Sequence, residues 1–93
     1  MALKTLPFDA TDSLDTPEAQ ALLLAEALAT SDTKVVTAAL NMIARANGMS
    51  HTARDAGISR EAIYRATGPD GNPTLSTLLA IVRSAGLKLS AAV

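Results

Sequence analysis

The stretch from Met49 to Ala66, MSHTARDAGISREAIYRA, constrains this chain more than any other, because its residues suit two short helices joined by a tight turn. Ser50 is a candidate N-cap, and Gly57 can adopt the left-handed backbone conformation that ends a helix. Together they predict a first helix from about His51 to Ala56. Ser59 caps a second helix, which Arg60 and Glu61 open. Ile63 follows Ile58 by five residues, a spacing that lets Ala53, Ile58 and Ile63 converge on one small core. A helix crossing needs small residues where the backbones approach, and Ala53 and Gly57 supply them.

This is the pattern of a helix-turn-helix, in which the second helix enters the DNA major groove. In that register the outward positions of the second helix are Ser59, Arg60, Glu61, Tyr64 and Arg65. Hydrogen-bonding groups gather at its N-terminal end, where base edges are read. The two arginines can fork onto guanine O6 and N7 or onto phosphate. An ordinary solvated helix face also carries charges; it is the conjunction of small residue, glycine turn, capping serine and buried isoleucines that favours the DNA reading.

A length of 93 residues suits one domain, able to bury about 60–65% of its unfolded surface. Hydrophobic content of 48% marks a folded chain, while aromatic content of 2% leaves Ala, Leu, Ile and Val to build the core. Such a core is thin, and self-association or a partner is expected to add stability. With no cysteine there is neither a disulfide framework nor a thiolate metal site. No apolar run approaches the ~20 residues of a membrane span, and no secretory signal pattern opens the chain, so a cytoplasmic protein is expected.

The net charge of −1 argues against nucleic acid until its distribution is considered. Residues 1–33 set Lys4 against Asp9, Asp12, Asp15, Glu18, Glu26 and Asp32, whereas residues 34–93 set seven basic side chains against three acidic ones. Such segregation fits a body that meets phosphate and an acidic opening that meets something else, such as a basic protein.

Residues 1–15 show no sustained period and read as an extended acidic leader. Asp9, Asp12 and Asp15 lack the alternate ligands, central glycine and closing glutamate of a calcium loop. The helix-turn-helix domain is expected over residues 16–93. Thr16-Pro17-Glu18 is a strong helix start, and that helix should run to about Ala29 with Leu24, Leu28, Ala21 and Ala25 facing inward. Thr30, Ser31 and Asp32 break and recap the chain. A second helix is expected from about Thr33 to Ala46, with Val36, Ala39, Leu40, Ile43 and Ala44 at helical spacing, stopping at Asn47 and Gly48. Lys34 and Arg45 on it read as isolated surface charges. Thr67 to Pro73 is a loop by its two glycines and two prolines. Thr74 caps a last helix that presents Leu75, Leu78, Leu79 and Val82 on one face and ends at Gly86. Asn72 and Thr74 sit where a loop and a helix N-terminus can bind a DNA phosphate, or simply form a turn and a cap. Leu87 and Leu89 alternate with polar residues, as in a short strand or a subunit contact.

Catalytic constellations are missing from the sequence. His51, the one histidine, adjoins Ser50, but neighbours on a helix point apart and make no dyad, so it reads as a surface residue with a glancing DNA contact at most. Neither zinc-ligand spacing nor a phosphate-cradling glycine loop is present. No cofactor and no metal are expected, and the chain reads as a binding protein rather than an enzyme.

From GMSHTARDAGISREAIYRA through GNPTLSTLLAIVRSAGLKL the chain resembles the lambda-repressor-like, or Xre-type, helix-turn-helix domains. More closely, ALNMIARANGMS, REAIYRA, GNPTLSTLL and the opening FDATDSLDTPE resemble the addiction-module antidote proteins, HigA-type antitoxins, over nearly the whole chain. That resemblance implies an all-α, five-helix domain behind an acidic leader, a homodimer, and a partner toxin of the RelE/HigB-like ribonuclease class from the same operon. It carries DNA reading onto Ser59, Arg60, Tyr64 and Arg65, with Ser50, His51, Asn72 and Thr74 as supporting backbone contacts. Two positions depart from it: His51 stands where such domains usually carry Gln, and Thr67 replaces a larger apolar residue, which predicts a looser end to the reading helix. A stand-alone phage-type repressor, or a protein-interaction module that keeps the fold without binding DNA, would share these residues.

Overall fold

A computed structural model of the chain describes residues 14–93, which form five helices and, among the described residues, no strand. They are α1 (Pro17–Ala29), α2 (Thr33–Asn47), α3 (Met49–Ala56), α4 (Arg60–Thr67) and α5 (Leu75–Ser84). The expected all-α class is the observed one. Most of the acidic leader, Asp9 and Asp12 included, lies outside the described residues.

Four of the five helices begin at a side-chain cap visible in the sequence. Thr16 Oγ1 accepts from Ala19 N at 3.1 Å, Asp32 Oδ1 from Lys34 N at 3.0 Å, Ser59 Oγ from Ala62 N at 3.0 Å and Thr74 Oγ1 from Thr77 N at 3.2 Å. The exception is α3. It starts at Met49, so Ser50 lies inside its first turn and caps nothing. Gly48, at φ +92°, both ends α2 and precedes α3, and one residue between two helices leaves no place for a separate capping side chain.

α2 is the scaffold, packing against each of the other four helices. Toward its N-terminal half, Val35, Ala39, Leu40 and Ile43 join Leu23, Leu24 and Ala27 of α1 and Ile81 and Val82 of α5 in the larger core. Toward its C-terminal end, Ala44 joins Met49, Ala53 and Ile63 in a smaller one. Leu87 and Leu89 pack against the larger core without forming a strand.

Two expected faces are corrected. α1 buries Gln20, Leu23, Leu24 and Ala27, while Leu28, Ala21 and Ala25 face out. The run Leu22-Leu23-Leu24-Ala25 is apolar on every side of a helix, so periodicity alone does not choose the buried face. α5 buries Ala80, Ile81 and Val82 with Leu78 half-buried, leaving Leu75 68% and Leu79 41% exposed. In α2 the fully buried valine is Val35, with Val36 half-buried.

Gln20, only 2% exposed, is the polar exception in α1. Its Nε2 donates to the Leu14 carbonyl at 2.9 Å and to Asn47 Oδ1 at 2.8 Å, and Asn47 Nδ2 returns a bond to Gln20 Oε1 at 3.1 Å. The reciprocal amide pair ties α1 to the end of α2. Gln20→Ala removes three hydrogen bonds and strands the Leu14 carbonyl, and is expected to cost about 1–3 kcal/mol in urea denaturation. A loss within 0.5 kcal/mol would mean that the pair is replaced by water at no cost.

Candidate nucleic-acid interface

The turn between α3 and α4 is built by backbone geometry. Gly57 sits at φ +74°, Gly57 N donates to the Arg54 carbonyl at 3.3 Å, and Ile58 N reaches back to the Ala53 carbonyl at 3.1 Å. This paired return is a Schellman ending, and its usual apolar contact is present, since Ile58 packs on the cluster that contains Ala53. A Cβ at Gly57 would meet nothing within 4 Å, so glycine is there for the left-handed conformation and not for helix clearance as its spacing suggested. Ala53, by contrast, is buried in the helix crossing as expected.

α4 then starts on its Ser59 cap. Ile63 is 0% exposed at the centre of the small core, and Thr67 is buried one turn later. That burial sends Arg60, Glu61, Tyr64 and Arg65 outward, all exposed, with Tyr64 at 41%. Glu61 lies in the first turn, where a carboxylate favours the helix dipole. Two basic groups and a phenol therefore share the free side of a short rod with a capping hydroxyl at its end.

The far end of α4 is tighter than expected. Thr67 belongs to the helix rather than the loop; its Oγ1 donates to the Ile63 carbonyl at 2.8 Å and accepts from Asn41 Nδ2 at 3.0 Å. The hydroxyl does by hydrogen bonding what a larger apolar side chain would do by volume. The following loop folds back over this end. Gly71 N donates to the Gly68 carbonyl at 2.9 Å, and any Cβ on Gly71 would collide with the Ala66 carbonyl.

The other candidates lie on neighbouring elements, and all are exposed. Ser50 and His51 stand in the first turn of α3. His51 is not solitary: its Nε2 lies 3.1 Å from Asp55 Oδ2 one turn on. Asn72 is in the loop before α5, and Thr74 spends its hydroxyl on the cap and on the Ser76 and Thr77 hydroxyls. The first turn of α5 thus carries a cluster of hydroxyls beside free backbone N–H groups.

Arg45, read from the sequence as an isolated surface charge, comes into the site together with Asn41. Arg45 of α2 places its guanidinium 5.9 Å from the centre of the Tyr64 ring and donates from Nε to Asn41 Oδ1 at 2.8 Å. The one available signal was the i, i+4 spacing of Asn41 and Arg45 on α2; the stacking on Tyr64 is a tertiary contact that no local pattern encodes.

Among the described residues no group of His, Asp and Glu side chains is arranged to hold a metal ion, and no helix is long and apolar enough to cross a membrane. Comparison with known proteins gives a family. A family model described as "probable addiction module antidote protein" matches residues 4–93. A protein of Haemophilus influenzae described as uncharacterized is 41% identical over 81 residues, covering 87% of this chain and 84% of its own. No solved structure matches.

Because the space beside Gly57 is open, substitutions there report backbone strain alone. Gly57→Ala is expected to lose about 1–2 kcal/mol in urea denaturation and Gly57→Asn distinctly less, since asparagine tolerates the left-handed region. Equal losses for both would show that the turn is held by contacts instead of conformation.

Proposed function

The chain belongs to the family of probable addiction module antidote proteins, and from that premise we propose that it is the antitoxin of a type II toxin-antitoxin pair which neutralises a RelE/HigB-like ribonuclease and, as a homodimer, binds operator DNA to repress its own operon. The observation that carries the DNA half is the free face of α4, where Arg60, Tyr64 and Arg65 stand exposed on a helix whose opposite side buries Ile63 and Thr67. The five helices with a short α3–turn–α4 unit support a lambda-repressor-like mode of docking.

In that mode α4 lies in the major groove. Ser59 and Arg60 meet base edges at its N-terminal end, Arg65 forks onto guanine or phosphate, and the Tyr64 ring offers an edge to a thymine methyl. Ser50 and His51 at the start of α3, and Asn72 and Thr74 at the start of α5, bring helix N-termini and side-chain donors to the phosphates. Two protomers would set their reading helices roughly 34–36 Å apart on a near-palindrome. Occupancy of the promoter is then repression.

The antidote family implies a toxin partner, and α1 supports its placement. Its outer face exposes Ala21, Leu22, Ala25, Leu28 and Ala29 in a helix that also carries Glu18 and Glu26. An exposed apolar strip on a helix with two carboxylates, bordered by Leu87 to Ala92 of the tail with Lys88 among them, suits a protein partner.

Two measurements test the two halves. A mobility shift with the protein's own upstream DNA at two salt concentrations is expected to show sequence-specific binding, weakened by about 1–3 kcal/mol for each of Arg60→Ala and Arg65→Ala. Unchanged binding in the double variant would remove α4 from the interface and favour a protein-interaction module. For the toxin half, Leu22→Asp with Leu28→Asp is expected to abolish rescue of growth from a co-expressed toxin of the proposed pair while leaving the DNA shift intact. Full rescue by that variant would move the toxin contact off α1.

A further inference from the structure

α2 carries Lys34, Asn41 and Arg45 at positions i, i+7 and i+11, which fall on one helix face over roughly 16 Å of axis. That face borders an open groove of about 610 Å³, lined from the other side by Tyr64, Thr67, Gly68 and Pro69. No carboxylate lines the groove, and among the described residues none lies within ion-pairing distance of Lys34 or Arg45. Two cations at the edge of one groove, with no carboxylate paired to them among the described residues, describe a surface for an anion.

The arginine is also held in place. Asn41 Oδ1 accepts from Arg45 Nε at 2.8 Å while Asn41 Nδ2 donates to Thr67 Oγ1 at 3.0 Å, and Thr67 in turn bonds the Ile63 carbonyl at 2.8 Å. The Tyr64 ring lies against the guanidinium. With Nε occupied and the stem fixed, the two terminal nitrogens of the guanidinium have no acceptor among the described residues. A long surface side chain ordinarily loses rotamer entropy when it binds a phosphate; here the protein has already ordered it.

We propose that the Lys34–Asn41–Arg45 face of α2 is a track for the sugar-phosphate backbone of the duplex that α4 reads, with Arg45 and Lys34 as phosphate contacts and Asn41 as the residue that positions Arg45. The inference rests on the DNA half of the proposed function and extends it from α4 to α2. Tyr64 joins the two surfaces, since one face of its ring stacks on Arg45 while its free side belongs to the face of α4. Backbone contacts of this kind fix orientation and carry no sequence information, so they act equally on cognate and unrelated duplexes.

The test is a salt titration of binding by fluorescence anisotropy, on the upstream DNA and on a scrambled duplex, for the full chain and its variants. Arg45→Gln and Lys34→Gln are each expected to flatten the slope of log K against log salt by about 0.9, and to weaken both duplexes by the same factor, roughly fivefold at 0.15 M salt. Asn41→Ala is expected to weaken binding in the Arg45 background but not in the Arg45→Gln background, a non-additivity that a merely structural role would not produce. Arg45→Lys should keep the slope, which separates loss of charge from loss of fold. An unchanged slope in Arg45→Gln, with the unaltered chain binding normally, overturns the track and leaves the α4 reading standing. A loss confined to the cognate duplex overturns it as well, because Arg45 would then be reading a base. If the unaltered chain binds neither duplex, the reading of α4 fails and the track fails with it.

Discussion

Burial of Ile63 orients the surface on which the DNA half of the functional reading depends. Ile63 has no solvent exposure, and its neighbours Ala44, Met49 and Ala53 come from α2 and α3. Rotating α4 by one residue, about 100°, would expose that side chain at a cost of about 1.5–3 kcal/mol. The alternative would also bury Tyr64 or an unpaired arginine. The outward presentation of Arg60, Tyr64 and Arg65 is thus a consequence of where one isoleucine sits, and the Ser59 cap and Gly57 turn hold it in register.

What the sequence disclosed follows from how local each feature is. Four of the caps, the Gly57 turn and the Ala53–Ile58–Ile63 cluster involve residues within about ten positions of one another and were legible. Ser50 failed as a cap because Gly48 serves both flanking helices, a detail of chain path that a capping residue in the right place cannot reveal. The buried face of α1 was illegible for the opposite reason: its apolar residues surround the helix, and the choice of Leu23 and Ala27 over Ala25 and Leu28 is made by α2 and α5. The same holds for α5, where Leu75, Leu78, Leu79 and Val82 share one face by their spacing, but packing buries Val82 and leaves Leu75 and Leu79 exposed. Of the candidate site, the outward positions of α4 were readable from its register. Arg45 was not, because its significance comes from Tyr64 and Asn41 across a tertiary contact.

The exposed apolar residues and the segregated charge follow a common logic. An antidote has at least one partner, and a small domain with little core to spare keeps the surface for that partner apart from the rest of its exterior. α1 satisfies this by being apolar on two sides, one spent on the core and one left exposed beside Glu18 and Glu26. α4 is the converse, with one apolar residue deeply buried and a free side that is polar and basic. The two helices thus carry opposite chemistry on separate surfaces, so that partners of opposite charge would not meet on one patch.

A core of alanine and branched aliphatics with 2% aromatic content fills space but specifies orientation weakly, since similar side chains can exchange places at small cost. Directional bonds supply what shape does not. Two asparagines of α2 do this at two different helices: Asn47 locks α1 through the Gln20 amide, and Asn41 locks the end of α4 through Thr67. Each bond set joins residues 26 or 27 positions apart, and each has its polar atoms satisfied, so the geometry is fixed without a buried charge. One central helix therefore sets the angle of both outward surfaces, the apolar face of α1 and the polar, basic face of α4, by hydrogen bonds that have one good arrangement where the hydrophobic contacts around them have several.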